Sequence, residues 1–462
     1  MKKLIIVFSI LIPLFAQAQS IQNFGLGTND FNSSGTGYIR KVFVDSSDNS
    51  LYAGGNFLLA GGIPCYGIAK WSGGTWDSLS SGTYPNPGSS ITGSVLDIEK
   101  FGEDLIISGL FTKVGGKSIS GIAKWDGNEW FSVGGSTGGS VLQMEVYQNE
   151  LYVVGNFVNI GGIQSNGIAK WDGQRWIDLS QNFNINCDNI NASKHLATLI
   201  HFNGVLHVAG NINCSVTSEE RIYKLVGTQW VQVGPDINGN AWINKLCIYQ
   251  NRLYVGGYFV AQGNNIDNNI FSLVGNVAYS TSGGVTPWNV FDMFEHKNEL
   301  YVCGQISIAG GDSVGRIAKW NGTQWINTGI SIKRSNMNPN FGQLHSFTEY
   351  NGKLVMGGGF DMINESPVFN IAMVDFGNVG VNNLEKNSLF KLYPNPTNSN
   401  FSIELANFSN FKSVSVYNSL GQLLLQQKTP EKTFDVSNYA KGMYVVEVQT
   451  DKGISRQKLI VK

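Results

Sequence analysis

The chain has 462 residues, a net charge of −1, 42% hydrophobic and only 14% charged residues, and 56 glycines against 11 prolines. So apolar a composition excludes a disordered chain, the low charge argues against a helical one, and the near-zero net charge argues against an electrostatic bid for nucleic acid or an anionic membrane. An all-β protein rich in tight turns fits these bounds.

The chain opens with Met1-Lys-Lys, an apolar run from Leu4 to Phe15 and the small-x-small triplet Ala16-Gln-Ala18. This pattern predicts a secretory signal peptide over 1–18, cut after Ala18. The apolar run is shorter than the ~20 residues of a spanning helix, and no later stretch is long enough, so no transmembrane segment is expected in the mature chain. Five cysteines follow, at Cys65, Cys187, Cys214, Cys247 and Cys303. Cys187 and Cys214, in two polar loops of one repeat, are the candidate disulfide; Cys247 and Cys303 sit in apolar strand segments and read as buried small hydrophobes.

A repeat then organises the chain. Its clearest copy runs Leu151-Tyr-Val-Val-Gly-Asn-Phe157, a Gly-Gly turn, and Gly167-Ile-Ala-Lys-Trp-Asp-Gly-Gln-Arg-Trp176. Copies start at Leu51, Leu105, Leu151, Leu206, Leu253, Leu300 and Leu354, separated by 54, 46, 55, 47, 47 and 54 residues. Short strands at that period mean blades or a solenoid. Each full repeat resolves into four strands joined by hairpins, and segments such as Leu151 to Gly155 are apolar on both faces, as strands sandwiched between neighbouring sheets must be. The paired tryptophans are expected to fill the space between blades, and the glycines of the second strand to let neighbouring backbones approach near the axis.

The seventh repeat supplies three strands, ending at Phe369 to Asp375, and no fourth. Ile21-Gln-Asn-Phe-Gly-Leu-Gly27 resembles the fourth-strand segments elsewhere. It is expected to complete that blade and close the ring, which removes two exposed blade faces. The expected architecture is a seven-bladed β-propeller over 20–378. With glycines ending strand two and an aromatic in each of strands three and four, it resembles the kelch and galactose-oxidase type, although its Trp-x4-Trp spacing is closer than in kelch repeats.

Residues 379–388 read as a polar linker and 389–462 as a small β-sandwich with turns at Asn418 to Gly421 and at Lys441-Gly442. Its Leu392-Tyr-Pro-Asn-Pro396, Val416-Tyr-Asn-Ser-Leu-Gly-Gln422, Gly442-Met-Tyr-Val-Val-Glu-Val448 and Lys458-Leu-Ile-Val-Lys462 occur in the order of the type A C-terminal sorting domain of the type IX secretion system. The resemblance makes Tyr393, Pro394, Asn395, Pro396, Gly421 and Gly442 the sorting motif. It implies a Gram-negative cargo whose partner is the type IX machinery, secreted or held at the outer cell surface after periplasmic transit.

No motif joins His195, His201, His207, His296 or His345 to a nucleophile, and no spacing implies zinc, copper or calcium, so no cofactor and no metal are expected. The Asp126-Gly and Asp172-Gly turns read as hairpin residues that tolerate positive φ. Long connections, Thr83 to Thr92, Gln181 to His195 and Ser331 to Gly342, share one rim with Trp242 and Trp288. Tyr84, Trp242, Trp288 and Arg334 are therefore the candidate ligand-binding residues, with core-capping as the other reading of the two tryptophans. The expected function is a non-enzymatic binding or adhesion protein for glycan or surface-protein ligands. The alternative is a propeller-type carbohydrate-active enzyme, a lyase or glycosidase, which needs carboxylates or histidines at the axis; the first strands read as mostly apolar or weakly polar.

Overall fold

The computed structural model describes residues 20–24, 28–29, 37–79, 94–183, 195–211, 220–237, 239, 241–260, 266–335, 342–376, 390–405, 411–418, 423–428, 433–450 and 453–462. The signal-peptide segment, Cys187, Cys214, Tyr84 and Gly421 lie outside the described residues. The chain divides into two compact units, 1–376 and 377–462.

Among the described residues, the first unit holds seven antiparallel sheets built on a path of four strands. Six take four strands that follow one another in the chain. The seventh takes Gln343–Tyr350, Lys353–Gly359 and Ile371–Asp375, and then Ser20–Asn23 from the other end of the unit, with Ser20 opposite Asp375 and Asn23 opposite Ala372. The first strands of the sheets are Tyr38–Asp45, Ser94–Phe101, Thr137–Tyr147, His195–Phe202, Trp242–Tyr249, Val285–His296 and Gln343–Tyr350. Each touches the next, and the last touches the first, so together they surround a common axis.

Apolar clusters fill the seven spaces between consecutive sheets. In the closing space, Val355 and Ile371 of the seventh sheet pack on Val42, Ala53 and Trp76 of the first, with Phe24 among them. The fourth-strand tryptophan, where a sheet has one, spans such a space: Nε1 of Trp130 donates to Leu79 O, that of Trp176 to Val133 O and that of Trp230 to Leu179 O, each at 2.8 Å. Trp325 does the same to Thr281 O at 2.7 Å, and Trp76 to Phe24 O at 2.9 Å. A buried indole needs an acceptor, and the preceding sheet provides it. The first tryptophan of each pair lies across the hairpin, with ring centroids 5.2 Å apart for Trp125 and Trp130 and 5.4 Å for Trp171 and Trp176.

All seven first strands share a register shift at one equivalent place, skipping Arg40, Leu96, Leu142, Ala197, Asn244, Phe291 and His345 in turn, and the third and sixth have further shifts nearer their starts. Such a bulge pushes backbone toward the neighbouring strand. It meets a glycine there: a Cβ on Gly257 would lie 2.0 Å from Trp242 O. That is a contact within one sheet, where an approach between neighbouring blades had been expected. The glycine before it does face the next blade, since a Cβ on Gly256 would lie 2.8 Å from Val290 Cγ1.

The second unit pairs Phe390–Tyr393, Asn400–Leu405 and Thr433–Asp435 in one sheet and Phe411–Tyr417, Leu423–Gln427, Gly442–Thr450 and Gly453–Val461 in another. Phe390, Phe401 and Phe434 of the first sheet share a core with Val414, Val446 and Leu459 of the second, the arrangement of a two-sheet sandwich.

Candidate functional site

Two places bring chemistry-bearing residues together. The first is a belt around the axis. Next to each bulge the first strands present Lys41, Asp97, Gln143, Thr198, Lys245, Asp292 and Ser346, in sheet order. The residue after each of these has a backbone N–H that the bulge turns away from its own sheet, and it must find an acceptor. Most find it on the preceding sheet: Val42 N donates to Ser346 Oγ (3.2 Å), Met144 N to Asp97 Oδ2 (2.6 Å), Leu199 N to Gln143 Oε1 (3.1 Å), Leu246 N to Thr198 Oγ1 (3.1 Å) and Phe347 N to Asp292 Oδ2 (2.8 Å).

A lysine cannot accept, so the belt changes where Lys41 and Lys245 stand. There Ile98 N and Met293 N turn to their own neighbours, Asp97 Oδ1 and Asp292 Oδ1, each at 3.0 Å. The same oxygens take the lysines, at 2.7 Å for Lys41 and 2.9 Å for Lys245. One aspartate thus serves two backbone groups and an ammonium, so the carboxylate of Asp97, only 2% exposed, has its oxygens partnered. Burial works against the charge of Lys41, but Asp97 and Glu99 outweigh it and raise its pKa. Glu99 is pushed up to about 8, first by burial and then by Asp97 and Glu145, against the pull of Lys41 and Lys245. Glu145 in turn accepts from His201, from its backbone N at 3.0 Å and from Nδ1 at 2.7 Å.

This cluster corrects the reading of the first strands as mostly apolar or weakly polar. No signal flagged it because the equivalent residues are of different types. Superposing the seven first strands on their shared glycine partner would have lined them up.

The second place is the rim on which the first strands begin. Nine of the eleven tryptophans are buried or half-buried. Trp242 and Trp288 are 53% and 55% exposed, so neither caps a core in the sense of being covered by it. Trp242 lies opposite Tyr258 in the fifth sheet, and the Tyr258 ring stacks on Trp288 at 6.1 Å and 23°. On the other side the ring of His195 meets Trp242 edge-on at 6.1 Å. The four rings form a row across the fourth, fifth and sixth sheets. Arg334 is elsewhere on this rim, beside the seventh and first sheets, where Nη2 donates to Gly37 O at 3.4 Å.

The remaining candidates are structural. In the turn of the first sheet, Asp45 takes Lys100 at 2.8 Å and Ser47, and Asp48 takes Lys70 at 3.1 Å and Ser50, as in a hydrogen-bonded hairpin. In the Asp-Gly hairpins only the glycine has positive φ, 98° at Gly127 and 97° at Gly173. The aspartate acts through Oδ1, which accepts two backbone N–H groups: Asn128 and Glu129 on Asp126, Gln174 and Arg175 on Asp172. Cys65, Cys247 and Cys303 are buried free thiols.

In the second unit the Tyr393-Pro-Asn-Pro396 segment docks on the last strand. Asn395 accepts from Ile460 N at 2.9 Å and donates to Lys458 O, and Thr397 N donates to Ile460 O at 2.8 Å. Tyr393 is half exposed and Gly442 opens a strand opposite Val461.

The family described as "Secretion system C-terminal sorting domain" matches residues 391–462, and that described as "Rax2 C-terminal beta propeller domain" matches 16–219. An ulvan lyase of Nonlabens ulvanivorans is 40% identical over 74 residues, 15% of this chain and 14% of that protein. Among solved structures, PorZ of the Porphyromonas gingivalis type IX secretion system is 14% identical with a TM-score of 0.45, over 92% of this chain and 59% of its own. A GH74 enzyme of Niastella koreensis is 14% identical with a TM-score of 0.43, over 95% and 67%. The chain therefore spans about a seventh of the lyase and under two thirds of PorZ. The sorting-domain match, the propeller match and the all-β architecture together make this chain a β-propeller protein with a type IX C-terminal sorting domain, exported to the cell surface.

Proposed function

We propose that the seven sheets are the blades of one propeller and that this propeller is a binding protein, which holds a glycan or a surface protein against the aromatic row of Trp242, Tyr258, Trp288 and His195. The observation that carries this reading is the exposure of Trp242 and Trp288 in a chain that buries or half-buries its other tryptophans. An exposed indole face gives up burial worth about 2 kcal/mol or more, and two of them in one row, pre-packed by Tyr258 and His195, suit the apolar face of a sugar ring or a protein hot spot. Full-length protein on a glycan array tests it. The double variant Trp242→Ala, Trp288→Ala is expected to lose about tenfold or more in affinity for any captured glycan while keeping its melting temperature. Unchanged affinity would remove the proposal.

A second reading, a carbohydrate-active enzyme, draws on the axial cluster, because a carboxyl held protonated near neutrality is what a general acid requires. Glu99 meets that condition. Asp97 and Asp292 are committed to lysines and backbone groups, and Glu145 to His201, so no second free carboxylate stands beside it among the described residues. The lyase match is one small domain long and carries no argument for catalysis by the propeller. Release of new reducing or unsaturated ends from acidic and neutral polysaccharides, abolished by Glu99→Gln, would reverse the order of the two readings.

A further inference from the structure

Elsewhere on the same rim, at the seventh and first sheets, stand cationic groups that no carboxylate neutralises among the described residues. Arg40, the bulged residue of the first sheet, and Arg334 have no carboxylate partner among the described residues. They flank one tyrosine: the Arg40 guanidinium lies over the Tyr38 ring at 5.0 Å, and a Cβ on Gly359 would lie 3.2 Å from Arg334 Nη1 and 3.3 Å from Tyr38 Cβ. The ring of His345, the bulged residue of the seventh sheet, is 5.8 Å from Tyr38 and 4.8 Å from Phe291.

Two polar atoms at this place are buried with no hydrogen-bond partner among the described residues: Arg40 Nε and His345 Nδ1. His345 is only 7% exposed. Burial, and then Arg40, hold its pKa well below the usual histidine range, so its ring is neutral and can donate or accept one hydrogen bond. Buried polar atoms are normally paired, and those that are not call for an explanation. Phe291 lies in the same strand as Trp288 and so joins this pocket to the aromatic row.

We propose that Arg40, Arg334 and His345, over the Tyr38 and Phe291 rings, form a pocket for the carboxylate or sulfate group of an acidic polysaccharide. Guanidinium groups match both anions in a two-pronged geometry, and the nitrogens of Arg40 and His345 gain the acceptor that no described residue supplies. The proposal rests on the binding reading above and adds the charge of the ligand: neighbouring sugar rings would run along Trp288 and Trp242 while the anionic group enters beside Tyr38.

Full-length protein titrated with polygalacturonate, dextran sulfate and neutral dextran tests it. Binding to at least one acidic polymer is expected, and which one binds separates carboxylate from sulfate as the source. That affinity should fall at least tenfold between low and 0.5 M salt, as exposed ion pairing is screened. The double variant Arg40→Gln, Arg334→Gln should lose a similar factor with its thermal unfolding unchanged; if it folds poorly, Arg40→Lys, Arg334→Lys keeps the charge and should retain salt-sensitive binding. Salt-independent binding, equal affinity for neutral dextran, or full affinity in the Gln variant overturns the anionic pocket. Loss on Trp242→Ala, Trp288→Ala with no effect of the arginines would keep the binding reading and discard this one.

Discussion

Asp97 shows how one residue carries several demands at once. It accepts from Ile98 and Met144 and pairs with Lys41, so Asp97→Ala leaves a buried ammonium and two backbone donors without partners. A loss of about 3–5 kcal/mol is expected in denaturant unfolding. Glu99 beside it behaves in the opposite sense. Its folded pKa, raised to about 8, lies above that of the unfolded chain, so its contribution to stability is full below the ordinary glutamate pKa and is lost as pH rises through about 8. Glu99→Gln should therefore match the wild type at pH 5 and melt a few degrees higher, roughly 1–4 °C, at pH 9. A variant less stable at pH 9 would contradict the burial that raises this pKa.

At the scale of elements, the bulge and its glycine form one unit that recurs in every sheet of the first unit. Gly257→Ala places a methyl group 2.0 Å from Trp242 O, a clash that only backbone movement relieves, and should cost about 2–3 kcal/mol. The strand Ser20–Asn23 is the other decisive element. Its removal leaves Ile371–Asp375 as an open edge and takes away the acceptor of the Trp76 indole at Phe24 O. Deleting 20–24 is expected to lower the melting temperature and promote aggregation through that edge, read by scanning calorimetry and light scattering. In the second unit, Asn395→Ala removes the bonds to Lys458 and Ile460 and should loosen the last strand, seen as faster amide exchange there.

For the molecule as a whole, the two compact units divide the labour between the propeller and the sorting domain. Removing 391–462 should leave the thermal unfolding of the first unit in place while the protein fails to reach the cell surface and accumulates in the periplasm. Fractionation of the producing cells checks this.

The repeat, its strand count, the tight hairpins and the terminal sorting motif are local patterns, so periodicity and turn chemistry suffice to read them. Leu151 to Phe157 is apolar because both of its faces are covered, and Asp172-Gly173 turns the chain because of what those two residues do alone. The sequence by itself therefore determined the all-β class and the export signal. Only the tertiary structure decided which side chains meet across the ring. A belt position asks for any polar side chain that can reach the next sheet, which Lys41, Asp97, Gln143, Thr198 and Ser346 meet by different chemistry and without a motif. The exposure of Trp242 and the want of a carboxylate beside Arg40 among the described residues are likewise set by residues remote in the chain, and a pattern confined to neighbours in sequence holds no record of them.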